Sequence, residues 1–209
     1  MSIENKNNVY LSGTITRKSE YKNMLFLSIT TGTYVKNGQK HFTSPTVVFF
    51  GELALEAGKY EKGTRVDINA AIVTRRITDI NGKSRYTQSI VATGICPSKS
   101  ILNEVLGIES ESKRPPANRV VICGSVYSIT KSNETLVKLG IGATTVVNHS
   151  RRRATVMCSY FCDDADRVLS DIHIKDSVCA AGTIQTLRFN RDGQINQKDT
   201  IVLSELQKF

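Results

Sequence analysis

Alternating hydrophobic and polar positions recur along most of this chain, and a period of two residues predicts β-strands. In the first half the pattern gives five strand candidates, separated by turn residues and polar segments. They are NVYLSGTI (8–15), MLFLSITTGTYV (24–35), SPTVVFF (44–50), RVDINAAIVTRRI (65–77) and RYTQSIVATGI (85–95). A weakly helical stretch, ELALEAGKYEKG (52–63), lies between the third and fourth candidates. We therefore expect a mostly β structure.

The same pattern occurs a second time. Residues 7–13 and 118–124 both read N-x-V-x-(L/I)-x-G, and their glycines are 124 − 13 = 111 residues apart. VDINAAIVT (66–74) also matches VCAAGTIQT (178–186), at an offset of 112. Several separated anchors at nearly one offset indicate a duplicated domain. Further pairs at the offset of 111 are Phe50 and Phe161, Ala54 and Ala165, and Gly82 and Gly193.

A polar segment with paired prolines, ESESKRPPAN (109–118), separates the two copies. This composition is typical of a linker, and ILNEVLGI (101–108) before it is compatible with a short helix. The predicted domains are 1–108 and 117–209, with a linker at 109–116.

Five strands with one helix after the third is the order of the OB fold, a partly open barrel that commonly binds oligonucleotides. The predicted fold class is therefore all-β, with two tandem five-stranded OB-fold barrels joined by a short proline-containing linker. A small β-sandwich is the structural alternative for each copy.

The charge of the chain favours a polyanionic partner. Lys plus Arg number 28 against 19 Asp plus Glu, which gives a formal net charge of +9 and a pI near 9.4. The N-terminus has no apolar core of a signal peptide, and no apolar run approaches the roughly 18 residues of a membrane span. We expect no membrane partner and a cytoplasmic location.

Residue patterns of an enzyme are not found in the sequence. The histidines His41, His149 and His173 are scattered, and no nucleophile elbow, Walker loop or metal spacing accompanies them. The acidic run at 163–166 resembles a capped helix start more than a pair of catalytic carboxylates. The five cysteines contain no CxxC pair, so we expect buried free thiols. We predict that the protein is not an enzyme and that it needs neither a cofactor nor a metal.

A basic hairpin is the sharpest functional signal. TRRITDINGKSRYTQ (74–88) has an Asn81-Gly82 turn, which suits a type I′ hairpin. Basic residues on both legs would repel each other across the strands unless solvent or an external anion compensates. A solvated hairpin tip and an anion-binding hairpin are both compatible with this pattern.

The first copy resembles the OB domain of bacterial-type single-stranded DNA-binding proteins, through NNVYLSG, TVVFFGELA and KGTRVDINAAIVTRRITDINGKSRYTQSIV. The second copy resembles it more weakly, through NRVVICG and VCAAGTIQTLRFNRDG. The resemblance implies that the hairpin at 74–88 reaches along bound single strand, with its Arg and Lys against phosphates. The chain has no Trp, and the positions where relatives commonly carry stacking Trp are Tyr34, Ser44 and Ile77.

Alternation along the third strand divides its side chains between two faces. Phe50 falls on the face of Ser44, Thr46 and Val48, which we predict to be the DNA face, while 45, 47 and 49 face the core. In the second copy Thr155, Met157, Ser159 and Phe161 share the corresponding face. The arginines at 151–153 lead into that strand. The complete set of predicted nucleic-acid-binding residues is Tyr34, Phe50, Arg75, Arg76, Lys83, Arg85, Tyr86, Arg151, Arg152, Arg153, Phe161, Arg188, Phe189 and Arg191.

The predicted function is sequence-independent binding and protection of single-stranded DNA in replication, recombination or repair. Single-stranded RNA binding and an OB-based assembly module with one DNA-binding barrel are the alternatives. Because relatives gather four OB domains, the resemblance implies a homodimer of this two-barrel chain. Relatives usually end in an acidic tail that recruits other proteins, whereas DTIVLSELQKF (199–209) reads as a strand. We therefore expect no tail-mediated recruitment, and a specialised phage or mobile-element role.

Overall fold

The structure is a computed structural model that describes residues 5–36, 39–78, 82, 84–98, 116–147, 150–191 and 194–209. The linker predicted at 109–116 and the helix at 101–108 lie outside these ranges, except for Pro116. In the first half the described elements are β1 (Lys6–Tyr21), β2 (Met24–Thr30), β3 (Gly32–Lys36), β4 (Gln39–Thr43), β5 (Thr46–Phe50), α1 (Gly51–Ala57), β6 (Arg65–Thr78) and β7 (Ser84–Pro97). In the second half they are β8 (Ala117–Asn133), β9 (Leu136–Val147), β10 (Ser150–Phe161), α2 (Ala165–Asp171), β11 (Ser177–Arg191) and β12 (Gln194–Lys208).

Strand pairing closes each half into a ring. In the first half β1 pairs with β2, β2 with β5, β5 with β7, β7 with β6, and β6 returns to β1. In the second half β8, β9, β10, β12 and β11 form the same cycle. In both cycles one pairing is parallel, β5 with β7 and β10 with β12. The predicted all-β class and OB-fold strand order are confirmed, and we call the two rings the first and the second barrel.

The two barrels are joined by an antiparallel pairing of β1 with β8. Val9 lies opposite Val120 in this pairing, and the two residues are counterparts in the repeat, since 120 − 9 = 111. An antiparallel pair centred on equivalent residues has a local two-fold axis. The chain is therefore a covalently linked pair of barrels arranged about a pseudo-two-fold axis.

An asparagine side chain, buried at Asn7 and half-buried at Asn118, closes each barrel near this axis. The Asn7 side chain donates to the carbonyl of Ile72 (2.7 Å) and accepts from its N–H (2.9 Å). Asn118 makes the same two bonds to Ile184, also at 2.7 and 2.9 Å. Each amide thus acts as a one-residue strand partner and satisfies backbone groups that burial would otherwise penalise. The two copies of the sequence repeat therefore make the same hydrogen bonds.

The cores follow the predicted alternation. Val47 and Phe49 of β5 are completely buried, and Val156 and Cys158 of β10 are buried in the second barrel. Burying one such side chain stabilises the fold by about 2 kcal/mol. Burial also raises the pKa of the Cys158 thiol to about 12, so this thiol is unreactive at neutral pH.

The other four cysteines differ from the prediction of buried free thiols. Cys123 and Cys179 lie directly opposite each other on β8 and β11 and form a disulfide. Cys96 is exposed, and Cys162 is only partly buried. The disulfide joins residues 56 positions apart, and their pairing depends on the barrel register, which cysteine spacing does not contain.

Two local predictions have opposite outcomes. The acidic run at 163–166 does start a helix, because the Asp164 carboxylate accepts from the N–H groups of Asp166 (2.9 Å) and Arg167 (3.2 Å). The single strand predicted at 24–35 is instead divided into β2 and β3. β3 turns away to pair with β4 in a separate two-stranded ribbon. β4, with the sequence QKHFT, was missed because its polar residues carry little of the hydrophobic alternation.

Candidate nucleic-acid interface

The β6–β7 hairpin carries its basic side chains on two faces. Arg75 lies opposite Thr87, Arg76 opposite Tyr86, and Ile77 opposite Arg85. In this register none of the described arginines lies directly opposite another basic residue. The expected cross-strand repulsion is therefore absent from these three pairs, because each arginine faces an uncharged partner. Lys83 lies outside the described residues.

Phe50 lies outside the barrel core and supports one of these arginines. Its ring is half-buried against a small outer cluster of Ala71, Val73, Val91 and Val147. The Arg75 guanidinium lies over the ring, 5.3 Å from its centre, and such a cation–π contact contributes about 0.5–1 kcal/mol at an exposed site. An aromatic face and a cation thus lie side by side on the outer surface of the first barrel.

The second barrel contributes to the same region through its β9–β10 hairpin. Val147, on β9, packs in the outer cluster with Val73 of β6. On β10, the carbonyl of Thr155 accepts a 2.8 Å hydrogen bond from the Thr74 hydroxyl. The chain between these two contacts contains the arginines at 151–153, all exposed. Both ends of this segment are held against adjacent residues of β6, Val73 and Thr74, which places the arginine-bearing hairpin of the second barrel near that strand.

Side chains of each barrel also bind the backbone of the other. The Gln88 amide accepts from the Met157 N–H (2.6 Å) and donates to the Met157 carbonyl (3.1 Å). At the equivalent place across the axis, Asp199 accepts from the Thr46 N–H (3.0 Å). Both pairs follow the repeat, since 199 − 88 = 111 and 157 − 46 = 111. The barrels therefore meet in a pseudo-symmetric interface.

Threonine side chains at equivalent positions of the two barrels also take part in this interface. Thr186 is the counterpart of Thr74, at 186 − 74 = 112, and Thr155 that of Ser44, at 155 − 44 = 111. The Thr186 hydroxyl accepts from the Ser44 N–H (3.1 Å) and donates to Asp199 (2.8 Å). Burial raises the pKa of Asp199 above its ordinary 3.8, and the bonds from Thr46 and Thr186 oppose this rise in part.

A cleft of about 1000 Å³ lies between the barrels. Its walls include Thr46 and Val48 from β5, Tyr86 from β7, and Tyr127 and Phe189 from the second barrel. The predicted DNA face of β5 is thus turned partly towards the second barrel. Ser44, on that face, is only 6% exposed, so its side chain is not accessible to a base in this arrangement.

The remaining predicted residues are spread over both barrels. Tyr86 and Phe161 are exposed, and Arg188 and Phe189 lie on β11 opposite Gln197 and Asn196. Side chains at Tyr34, Arg85 and Arg191 are not described; their backbones lie opposite His41, Ile77 and Gln194. Sequence reasoning missed Phe42, Gln88 and Asp199. The offset of 111 relates Gln88 to Asp199, but the offset alone does not show that either residue bridges the barrels.

No group of three or more His, Cys, Asp or Glu residues in the described part of the chain is placed to hold a metal ion. Likewise, none of the helices in the described ranges is long and apolar enough to cross a membrane.

The strand order of both rings is that of the OB fold, a class of barrel that commonly binds oligonucleotides. Residues 6–97, the first barrel, match the single-strand binding protein family, and the resemblance predicted from the sequence is confirmed for this part of the chain. No curated protein matches the sequence.

Two solved structures share the fold over nearly the whole chain. The wild-type single-stranded DNA binding protein from Thermus aquaticus has a TM-score of 0.63 at 17% identity, covering 99% of this chain and 94% of that chain. A deletion mutant of the Thermus aquaticus protein has a TM-score of 0.65 at 16% identity, covering 98% and 95% respectively. At these identities the similarity shows the common fold.

Proposed function

We propose that this protein binds and protects single-stranded DNA without sequence preference, in replication, recombination or repair. The observation that supports this most directly is the Phe50 ring on the outer surface of the first barrel, with the Arg75 guanidinium 5.3 Å from its centre. Arginines neutralise phosphates and release condensed counterions, while an exposed ring offers a flat face to a base of any sequence. The family match of the first barrel supports the same function.

A titration with three nucleic acids tests this proposal. Fluorescence anisotropy would be recorded with labelled single-stranded DNA, single-stranded RNA and duplex DNA of equal length, each at several salt concentrations. Single-stranded DNA should bind most tightly, with an affinity that falls steeply with salt. Preference for duplex, or an affinity independent of salt, would contradict the proposal. Tighter binding of RNA would support the alternative function.

We also propose that two copies of the chain associate, which would bring together four barrels. The outer side of the β1–β8 pairing has a depression of about 430 Å³, lined in part by Tyr10 and Val121. These residues are counterparts about the pseudo-two-fold axis, at 121 − 10 = 111, and a surface of this symmetry suits a closed, isologous pair. Light scattering should give twice the 23.1 kDa chain mass. Val121→Glu should return the mass to that of one chain, and a monomeric parent would exclude the pairing.

A further inference from the structure

The pseudo-two-fold axis gives the molecule two equivalent ends with unlike side chains. One end combines the β6–β7 hairpin of the first barrel with the β9–β10 hairpin of the second. The other end combines the β11–β12 hairpin of the second barrel with the β3–β4 hairpin of the first. The arginine end comprises Arg75 and Arg76 of β6 with Arg151, Arg152 and Arg153 of β10. The aromatic end comprises Phe42 of β4 with Leu187, Arg188 and Phe189 of β11.

Equivalent residues make the contacts at the two ends, although the Thr74 hydroxyl donates its hydrogen bond and the Thr186 hydroxyl accepts one. At the arginine end the Thr74 hydroxyl bonds the Thr155 backbone at 2.8 Å. At the aromatic end the Ser44 backbone bonds the Thr186 hydroxyl at 3.1 Å, and β4 lies in contact with β11. Phe42 is two residues from Ser44, and Leu187 directly follows Thr186. The scaffold is therefore shared, and the difference lies in the side chains.

Two arginines of the arginine end are replaced by apolar residues at the equivalent positions of the aromatic end. Leu187 is the counterpart of Arg75, at 187 − 75 = 112, and Phe42 that of Arg153, at 153 − 42 = 111. Arg188 corresponds to Arg76 by the same offset of 112 and keeps one cation at the aromatic end. Phe42, Leu187 and Phe189 are 51%, 40% and 45% exposed. Apolar side chains exposed in this way suit a ligand with flat bases, and alternation along β11 places Arg188 on the opposite face from Leu187 and Phe189.

We propose that the two ends bind single-stranded DNA by different physical means, phosphate neutralisation at the arginine end and base stacking at the aromatic end. This inference rests on the proposed function and assigns a base-stacking role to Phe42 of the first barrel and Phe189 of the second. Contacts to phosphates depend steeply on salt, whereas stacking on a ring does not release counterions. The two ends therefore differ in a measurable way.

Two variants of the full chain separate these contributions. In the arginine variant, Arg151→Gln, Arg152→Gln and Arg153→Gln are combined; in the aromatic variant, Phe42→Ala and Phe189→Ala are combined. The arginine variant should lower the slope of log K against log salt by about 2, since each phosphate contact on a single strand contributes roughly 0.7. The aromatic variant should keep the parent slope and bind about 10-fold or more weakly at every salt concentration.

Matched controls lie outside both ends. Arg167→Gln on α2 and Phe209→Ala near the C-terminus change an exposed arginine and an exposed phenylalanine, and both should bind like the parent. Phe42→Tyr with Phe189→Tyr retains the rings and should restore the affinity lost in the aromatic variant. Circular dichroism and the melting temperature confirm that each variant is folded.

The possible results distinguish this inference from the proposed function. A parent chain that fails to bind single-stranded DNA would overturn the proposed function and, with it, the assignment of both ends. If the parent binds but both variants lower the salt slope equally, the division of labour between the ends is wrong. If the aromatic variant binds DNA normally but changes the mass measured by light scattering, the aromatic end is a contact between copies of the chain.

Discussion

Asp199 occupies in the second barrel the position that Gln88 occupies in the first, and each side chain bonds the backbone of the opposite barrel. The Gln88 amide both donates and accepts, whereas an ionised carboxylate can only accept. Asp199 therefore makes its junction dependent on protonation, while Gln88 does not. This difference between two equivalent positions leads to the first prediction.

The carboxyl of Asp199 should make stability fall as the pH rises. Its pKa in the folded chain is above the ordinary 3.8 because of burial, so the folded state binds more protons than the unfolded state between those two values. By linkage, this group stabilises the fold increasingly as the pH falls through the raised pKa towards 3.8. Asp199→Asn should remove this dependence. Melting temperatures of parent and variant across mildly acidic pH values measure the difference.

Asp176 provides a control of opposite sign for this experiment. Its side-chain hydrogen bond with Lys208 is the largest cause that lowers the pKa of Asp176. The stabilisation is present above the ordinary pKa and is lost as the pH falls through the lowered value. Asp176→Asn should thus lose stability at neutral pH but not in strong acid. The Asp199 assignment fails if Asp199→Asn shows the same trend.

Removal of the Asn7 amide should destabilise the first barrel. Asn7→Ala leaves the N–H and carbonyl of Ile72 without their hydrogen-bond partner, and this should cost about 3 kcal/mol. The neighbouring Asn8 is exposed, so Asn8→Ala should change stability little. Urea unfolding measures both variants, and equal midpoints would show that the buried amide is dispensable.

Gly13 should not tolerate a methyl group. A Cβ at Gly13 would lie 2.2 Å from the Thr30 carbonyl oxygen, and Gly13→Ala should cost roughly 2–3 kcal/mol through overpacking. Gly94→Ala is the matched control, since the nearest atom to its Cβ would be Asn69 Cβ at 4.0 Å. Thermal unfolding of the two variants decides the point. An unchanged melting temperature for Gly13→Ala would mean that β1 and β2 can move apart.

Phe50 should contribute to binding more than to stability. Phe50→Leu retains an apolar side chain against Val73 and Val147 but removes the ring and its contact with Arg75. Binding of single-stranded DNA should weaken by about 1–3 kcal/mol, the usual contribution of one stacked base. Anisotropy titrations measure this loss, with Phe209→Leu as the control. A variant that loses stability but binds normally would assign Phe50 to packing alone.

The sequence allowed the barrels to be predicted because their signals are local and repeated. Alternation identified Phe49 as core, and the offset of 111 identified Asn7 and Asn118 as equivalent. The junction between the barrels could not be predicted in this way. The bond between Thr46 and Asp199 joins residues 153 positions apart, and its two partners have no pattern that distinguishes them from exposed polar residues. Thr46 and Asp199 come together only because the β1–β8 pairing sets the relative position of the barrels.

The unlike residues at the junction also determine which barrels fit together. Two copies of the second barrel paired in the same way would bring each Asp199 to a Met157 backbone, and two carboxylates would be buried in one interface. Such burial is unfavourable when no opposite charge is present. Two copies of the first barrel would instead meet through Gln88 and Thr46. Repulsion between the two carboxylates adds to this cost in a pair of second barrels, so the unlike residues favour the pairing of a second barrel with a first barrel.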